Sequence, residues 1–171
     1  SVLSETNLLF DDTSGITVTA MKAKLRRLKN LGLVVIDYLQ LMQSEKHSDN
    51  RVLEIGQITR ALKLMAKDLH VPVILCSQLA RAPESRTDKM PVLSDLRDSG
   101  SIEQDADVVL FLYRDDYYKK NKDEQNNEGN SNQILAKCSV AKNRHGSTSI
   151  IPLGWYGHLF KYTEIEERYN A

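Results

Sequence analysis

Leu33-Val34-Val35-Ile36 is an uninterrupted apolar run that stops at an acidic side chain, Asp37. A strand with no apolar–polar alternation belongs to a parallel sheet covered by helices, because both of its faces must leave water. Residues 51–69 then carry Ile55, Ile58, Leu62, Met65 and Leu69 at spacings of three and four, with Arg51, Glu54, Arg60, Lys63 and Lys67 on the other side. That is one apolar stripe on a long helix. Val71 to Cys76 is a second apolar run, with Pro72 tolerable only at its start, and it leads directly to Ser77-Gln78. Strand, long helix and strand in this order predict a βαβ unit. In such sheets the ligand crevice lies beyond the carboxyl ends of the strands. Asp37 and Gln78 are therefore the first candidates for chemistry. A carboxylate there can hold Mg²⁺, and a glutamine can orient water or sense a phosphate. The bland alternative is that each polar residue only marks a strand end.

Other segments fill in the organisation. Leu8-Leu9-Phe10 reads as a short strand. Val18, Met21, Leu25 and Leu28 form the stripe of an earlier helix, whose opposite face (Lys22, Lys24, Arg26, Arg27, Lys29) is first of all a solvated basic face. Val108 to Leu112 is a third apolar run, expected as a third buried strand. Residues 119–133, KKNKDEQNNEGNSNQ, contain no apolar side chain and read as a flexible surface insertion. Beyond it, 134–141, 147–153 and 158–162 read as antiparallel strands. Trp155, beside Gly154, reads as packing at a turn. The expected architecture is three-layer α/β, with a mostly parallel central sheet and a C-terminal antiparallel hairpin extension.

Charge narrows the function. Lys and Arg number 23 against 23 Asp and Glu, so the chain is no basic nucleic-acid coat, although a local basic groove remains open. The apolar runs are too short to span a bilayer, and no secretory leader opens the chain, so a cytoplasmic location is expected. Cys76 and Cys138 sit in apolar runs and belong to no C-x-x-C pair; they are expected as buried free thiols.

The segment 94–107 is dense in polar groups. Glu103, Asp105 and Asp107 suggest a two-metal nuclease, but no histidine accompanies them. Arg97 to Gly100 suits an anion better: a cation, a hydroxyl and a glycine that lets backbone N–H groups approach a phosphate. Lys142 and Arg144 lie two apart where one strand turns into the next, so an extended chain projects both to one side. They are either two cations offered to an anion, on a neighbouring subunit included, or ordinary charged turn residues.

Taken together, the motifs resemble the DnaB-type replicative DNA helicases, whose motor domain has the RecA-like fold. The residues that carry the resemblance are 34–42 (VVIDYLQLM), Pro72 through Leu79 with Arg81, Glu84, Ser85 and Arg86, the run 94–107 (SDLRDSGSIEQDAD) continuing to Tyr118, and Lys142-x-Arg144-x-Gly146. The resemblance implies that residues 1–171 are the C-terminal part of a single RecA-like ATPase domain using ATP and Mg²⁺. It implies Asp37 as the Walker B aspartate on Mg²⁺ and Gln78 as the residue coupling the γ-phosphate to the DNA loops. Arg81, Arg97, Asp98 and Gly100 would grip single-stranded DNA. Arg144 would be the arginine finger reaching the next subunit's ATP, with Lys142 as its companion. Identical subunits in a hexameric ring, a helicase loader and primase are the implied partners. Asp98 departs from the family's usual glutamate. No G-x-x-x-x-G-K-[ST] phosphate loop occurs in the sequence, and the family places that loop upstream. The fragment alone is therefore expected to be inactive. A non-catalytic truncated paralogue and another RecA-like ATPase, such as a recombinase, are the competing readings.

Overall fold

Helix formation in the first half follows the stripe read above. The computed structural model describes residues 5–46, 48–79, 86, 88–114, 116 and 134–165, without the side chains of 97–99. The chain divides into two compact units, residues 1–78 and 79–171.

In the first unit, β1 (Val34–Ile36) and β2 (Val73–Leu75) pair in parallel, with Val34 opposite Val73 and Ile36 opposite Leu75. Between them runs α2 (Arg51–Leu69). Asn50 caps it, its Oδ1 accepting the Val52 N–H at 3.0 Å. His70, in the left-handed conformation at φ 54°, ends it. The buried face is Ile55, Ile58, Thr59, Leu62 and Met65, and the Thr59 hydroxyl bonds to the Gly56 carbonyl. Val18, Val34, Ile36, Leu39, Met42 and Val71 are also buried in this unit. Burying such a side chain contributes about 1.5–3 kcal/mol. The shorter α1 (Val18–Leu25) starts at Thr17, whose hydroxyl accepts the Ala20 N–H. Part of its basic face is paired: Lys22 and Arg26 with Asp68 of α2, and Lys24 with Asp11.

Two expectations for this unit are corrected. Burial on both faces of the strands does not hold among the described residues, since Val35 is 59% and Ile74 51% exposed. An apolar run shows that a face can be buried, but covering it takes another element. Residues 8–10 form no strand, and Leu8, Leu9 and Phe10 are exposed.

In the second unit, β3 (Val108–Arg114), β4 (Ile134–Asn143), β5 (Ser149–Tyr156) and β6 (Lys161–Glu164) make one antiparallel sheet in that order. The expected C-terminal strands are thus antiparallel, within a sheet of their own. However, the third apolar run is not a strand buried on both faces. It belongs to this antiparallel sheet and alternates, Val109, Phe111 and Tyr113 inward and Val108, Leu110 and Leu112 outward. Five apolar side chains in a row concealed a one-sided strand. A 3₁₀ helix (Leu93–Ser99) leads into α3 (Gly100–Asp105). Leu96, Val109 and Phe111 form the buried cluster, with Leu93, Ile102, Ala106 and Ala141 packed against it. Trp155 is buried, its ring 4.6 Å from Tyr162 and under the Arg114 guanidinium at 4.6 Å. The expected insertion at 119–133 lies outside the described residues. No helix among the described residues is long and apolar enough to cross a membrane.

Candidate functional site

The parallel register places the two candidate strand-end residues side by side. Ile36 lies opposite Leu75, so Asp37 and Cys76 leave the sheet together; the Cys76 N–H donates to the Ile36 carbonyl, and the Leu39 N–H returns to the Cys76 carbonyl at 2.9 Å. Asp37, Tyr38, Cys76, Ser77 and Gln78 line one open cleft of about 320 Å³. That size is at the low end for a small-molecule site. Asp37 and Gln78 are both exposed to the cleft's solvent. The Asp37–Tyr38 peptide is cis.

Sequence reasoning gave no role to Gln40, which organises this cleft. Its Oε1 accepts the Gln78 N–H at 3.3 Å, while its Nε2 donates to the Ser77 hydroxyl at 3.3 Å and to the Gln78 carbonyl at 3.4 Å. The 3₁₀ turn Leu39–Leu41 delivers it, anchored by the fully buried Leu39. The signal available was a polar residue between two leucines, shortly after the strand-end aspartate.

Among the described residues no group of three or more His, Cys, Asp or Glu is placed to hold a metal. Mg²⁺ in phosphate-handling sites takes one or two carboxylates and draws its other oxygens from water and phosphate. Cys76, expected buried, is exposed in the cleft, and Cys138 is half-buried; both are free. Cys76 lies two residues after Ile74 and so falls on the same, exposed face of the extended chain.

The second unit holds the other candidates. Lys142 and Arg144 do project to one side, and both reach the last turn of α3. Lys142 Nζ donates to the Glu103 carbonyl, and Arg144 Nη2 donates to the Gln104 carbonyl at 3.1 Å. Cations at a helix C-terminus meet its unsatisfied carbonyls and the negative end of its dipole. Arg144 also pairs with the Asp107 carboxylate at 3.3 Å and donates its backbone N–H to the Asp107 carbonyl at 2.8 Å. A bulge between the Val109–Lys142 and Leu110–Val140 pairs leaves Ala141 as the extra residue just before these cations.

Arg97 and Asp98 lie within the 3₁₀ helix, their side chains outside the described set, and Arg81 lies outside the described residues altogether. Gly100 is exposed, in ordinary helical conformation, with nothing within 4 Å of where a Cβ would sit. The nuclease reading of the acids finds no support, since the described residues hold no such cluster. Asp95 has a different role: at 3% exposure it accepts from the two terminal guanidinium nitrogens of Arg86, at 3.1 and 2.7 Å, and from the Val92 N–H at 2.8 Å. This fork-to-carboxylate pair fixes the start of the 93–99 helix.

The model of the DnaB-like helicase C-terminal domain family matches residues 1–164. The chain is 45% identical over 98% of its length to the replicative DNA helicase DnaC of Bacillus subtilis and, at the same identity and coverage, to the replicative DNA helicase DnaB of Geobacillus stearothermophilus. It spans 36% of the length of each. A solved DnaB-like replicative helicase, described with its interactions with primase, superposes with a TM-score of 0.82 at 38% identity, over 96% of this chain and 39% of that one. A solved ATPase domain gives 0.82 at 40% identity, over 96% of this chain and 57% of that one.

Proposed function

From the premise that this chain belongs to the DnaB-like helicase C-terminal domain family, we propose that it is part of an ATP-driven hexameric replicative helicase. The full protein would move along single-stranded DNA and unwind duplex at the fork. β1 and β2 then belong to the mostly parallel central sheet of a three-layer RecA-like domain. Asp37 holds Mg²⁺ at the phosphates of ATP, and Gln78 beside it responds to the γ-phosphate. Arg97, Asp98 and Gly100, with Arg81, line the DNA path. Arg144, assisted by Lys142, meets the charge that develops on the ATP of the neighbouring subunit. Primase and a loader are the expected protein partners.

The observation that carries this reading is the shared cleft: an exposed carboxylate and an exposed glutamine at adjacent parallel strand ends. Such placement suits phosphoryl transfer, whose catalysis is mostly positioning and charge stabilisation. The head-to-tail ring implied by the reading gives each subunit one finger to donate and one to receive.

Complementation tests it. In the full-length protein, Asp37→Ala and Arg144→Ala should each remove most ATP hydrolysis, by about 10³-fold for the arginine, while hexamers persist. Rings mixed from the two variants contain interfaces where an intact Asp37 faces an intact Arg144, and part of the activity should return. Mixed rings that form and recover nothing would overturn the trans-acting role of Arg144.

A further inference from the structure

The arginine at position 144 is held on its own chain at three points, all within residues 104–107. Its backbone N–H bonds to the Asp107 carbonyl at 2.8 Å, one guanidinium nitrogen lies 3.3 Å from the Asp107 carboxylate, and another donates to the Gln104 carbonyl at 3.1 Å. Asp107 sits immediately before β3, opposite the end of β4, so the antiparallel ladder itself sets the two residues against each other. The side chains remain 45% and 47% exposed, so the guanidinium is oriented without being taken from solvent. A guanidinium has five N–H donors, and the contacts just given use two of them.

We propose that Asp107 is a positioning residue for Arg144, fixing the direction in which the guanidinium is offered across the subunit boundary. The proposal rests on the reading of Arg144 as the finger. An unrestrained arginine loses its rotamer freedom when it meets developing charge, and an arginine already oriented loses less. Asp107 and the Gln104 carbonyl hold the guanidinium by its edge, in planar geometry that a lysine could not reproduce. Lys142, bonded to the adjacent Glu103 carbonyl, keeps the same face of α3 occupied. Both cations are thereby tied to the helix that begins at Gly100, within the segment read as DNA-gripping. A merely structural aspartate would behave differently, because a half-exposed ion pair contributes little to stability.

The experiment uses full-length hexamers. Asp107→Asn should lower kcat for ATP hydrolysis on the order of tenfold, less than the roughly 10²-fold expected of a full 1 Å misplacement. KM for ATP, the melting temperature and hexamer formation should stay close to the parent's values. Asp107→Glu, which restores the charge, should recover part of the rate. Asp107→Asn combined with Arg144→Ala should be no slower than Arg144→Ala alone, since residues acting as a unit are not additive. Mixing Asp107→Asn subunits with Asp37→Ala subunits should partly restore hydrolysis, because the latter supply well-oriented fingers to intact sites. If Arg144→Ala alone retains full hydrolysis, the finger reading fails and the role of Asp107 with it. If Arg144→Ala is inactive but Asp107→Asn has an unchanged or raised kcat, or the double variant is additively slower, the positioning role is wrong and the finger reading stands.

Discussion

The side-chain amide of Gln40 is bonded to the backbone of Gln78 in both directions, accepting its N–H at 3.3 Å and donating to its carbonyl at 3.4 Å. The turn after β1 thereby fixes the backbone that follows β2. The two walls of the cleft cannot shift independently without breaking these bonds. Gln40→Met, which keeps length and removes both hydrogen-bonding atoms, should cost about 1 kcal/mol of stability by denaturant titration. In the full-length protein it should also lower ATP turnover, and combining it with Gln78→Ala should add little. Independent, additive losses would show that Gln40 does not act through Gln78.

Asp95 and Arg86 make a stronger prediction about folding. Arg86→Ala leaves a carboxylate that is 3% exposed without its cation, and a buried charge left unpaired is costly. A loss of about 3 kcal/mol is expected, with Arg86→Lys intermediate because it cannot form the two parallel bonds. Chemical denaturation ranks the variants, and equal losses for Lys and Ala would contradict the importance of the fork.

Gly100 separates a folding role from a binding role. Its conformation is helical and no atom crowds its missing Cβ, so Gly100→Ala should leave stability unchanged or raise it by up to about 1 kcal/mol. If its backbone approaches a DNA phosphate, the same variant weakens single-strand binding in the full-length protein. Arg97→Ala should weaken binding alike for all base compositions and reduce the salt slope by roughly 0.7. Fluorescence anisotropy at several salt concentrations measures both. Selective weakening for some sequences would mean that Arg97 reads bases.

The junction of α1 and α2 carries a pH dependence. The Lys22 ammonium, bonded to the Asp68 carboxylate, holds that carboxyl below the ordinary range, with Arg26 adding to the effect. A depressed folded-state value means that the carboxylate stabilises the fold above the unfolded carboxyl's pKa, and that this is lost as pH falls through the folded value. Asp68→Asn should therefore melt slightly below the parent at neutral pH. The difference should close once pH drops below the usual carboxylate range. A gap that persists unchanged in acid would assign the effect to packing instead.

Much of the architecture follows from local pattern. The stripe Ile55, Ile58, Leu62, Met65 specifies α2 because a helix with one apolar face has only one low-energy way to meet a core. Asp37 and Gln78 are legible as a pair, since an apolar strand, a helix and a second apolar strand paired in parallel bring successive strand ends to one edge. The same-side projection of Lys142 and Arg144 follows from the two-residue period of extended chain. Pairing direction is a different matter. Val108 to Leu112 is as apolar as Val71 to Cys76, yet it joins an antiparallel sheet and buries only Val109 and Phe111, together with Tyr113. Nothing within a run of apolar side chains encodes which neighbour it meets, and burial depends on that neighbour. Gln40 closing on Gln78, Arg86 on Asp95 and Arg144 on Asp107 share one reason for their silence in the sequence. Each is a hydrogen bond between residues separated along the chain, whose polar groups could equally have bonded to water. Only the fold brings each pair within hydrogen-bonding distance.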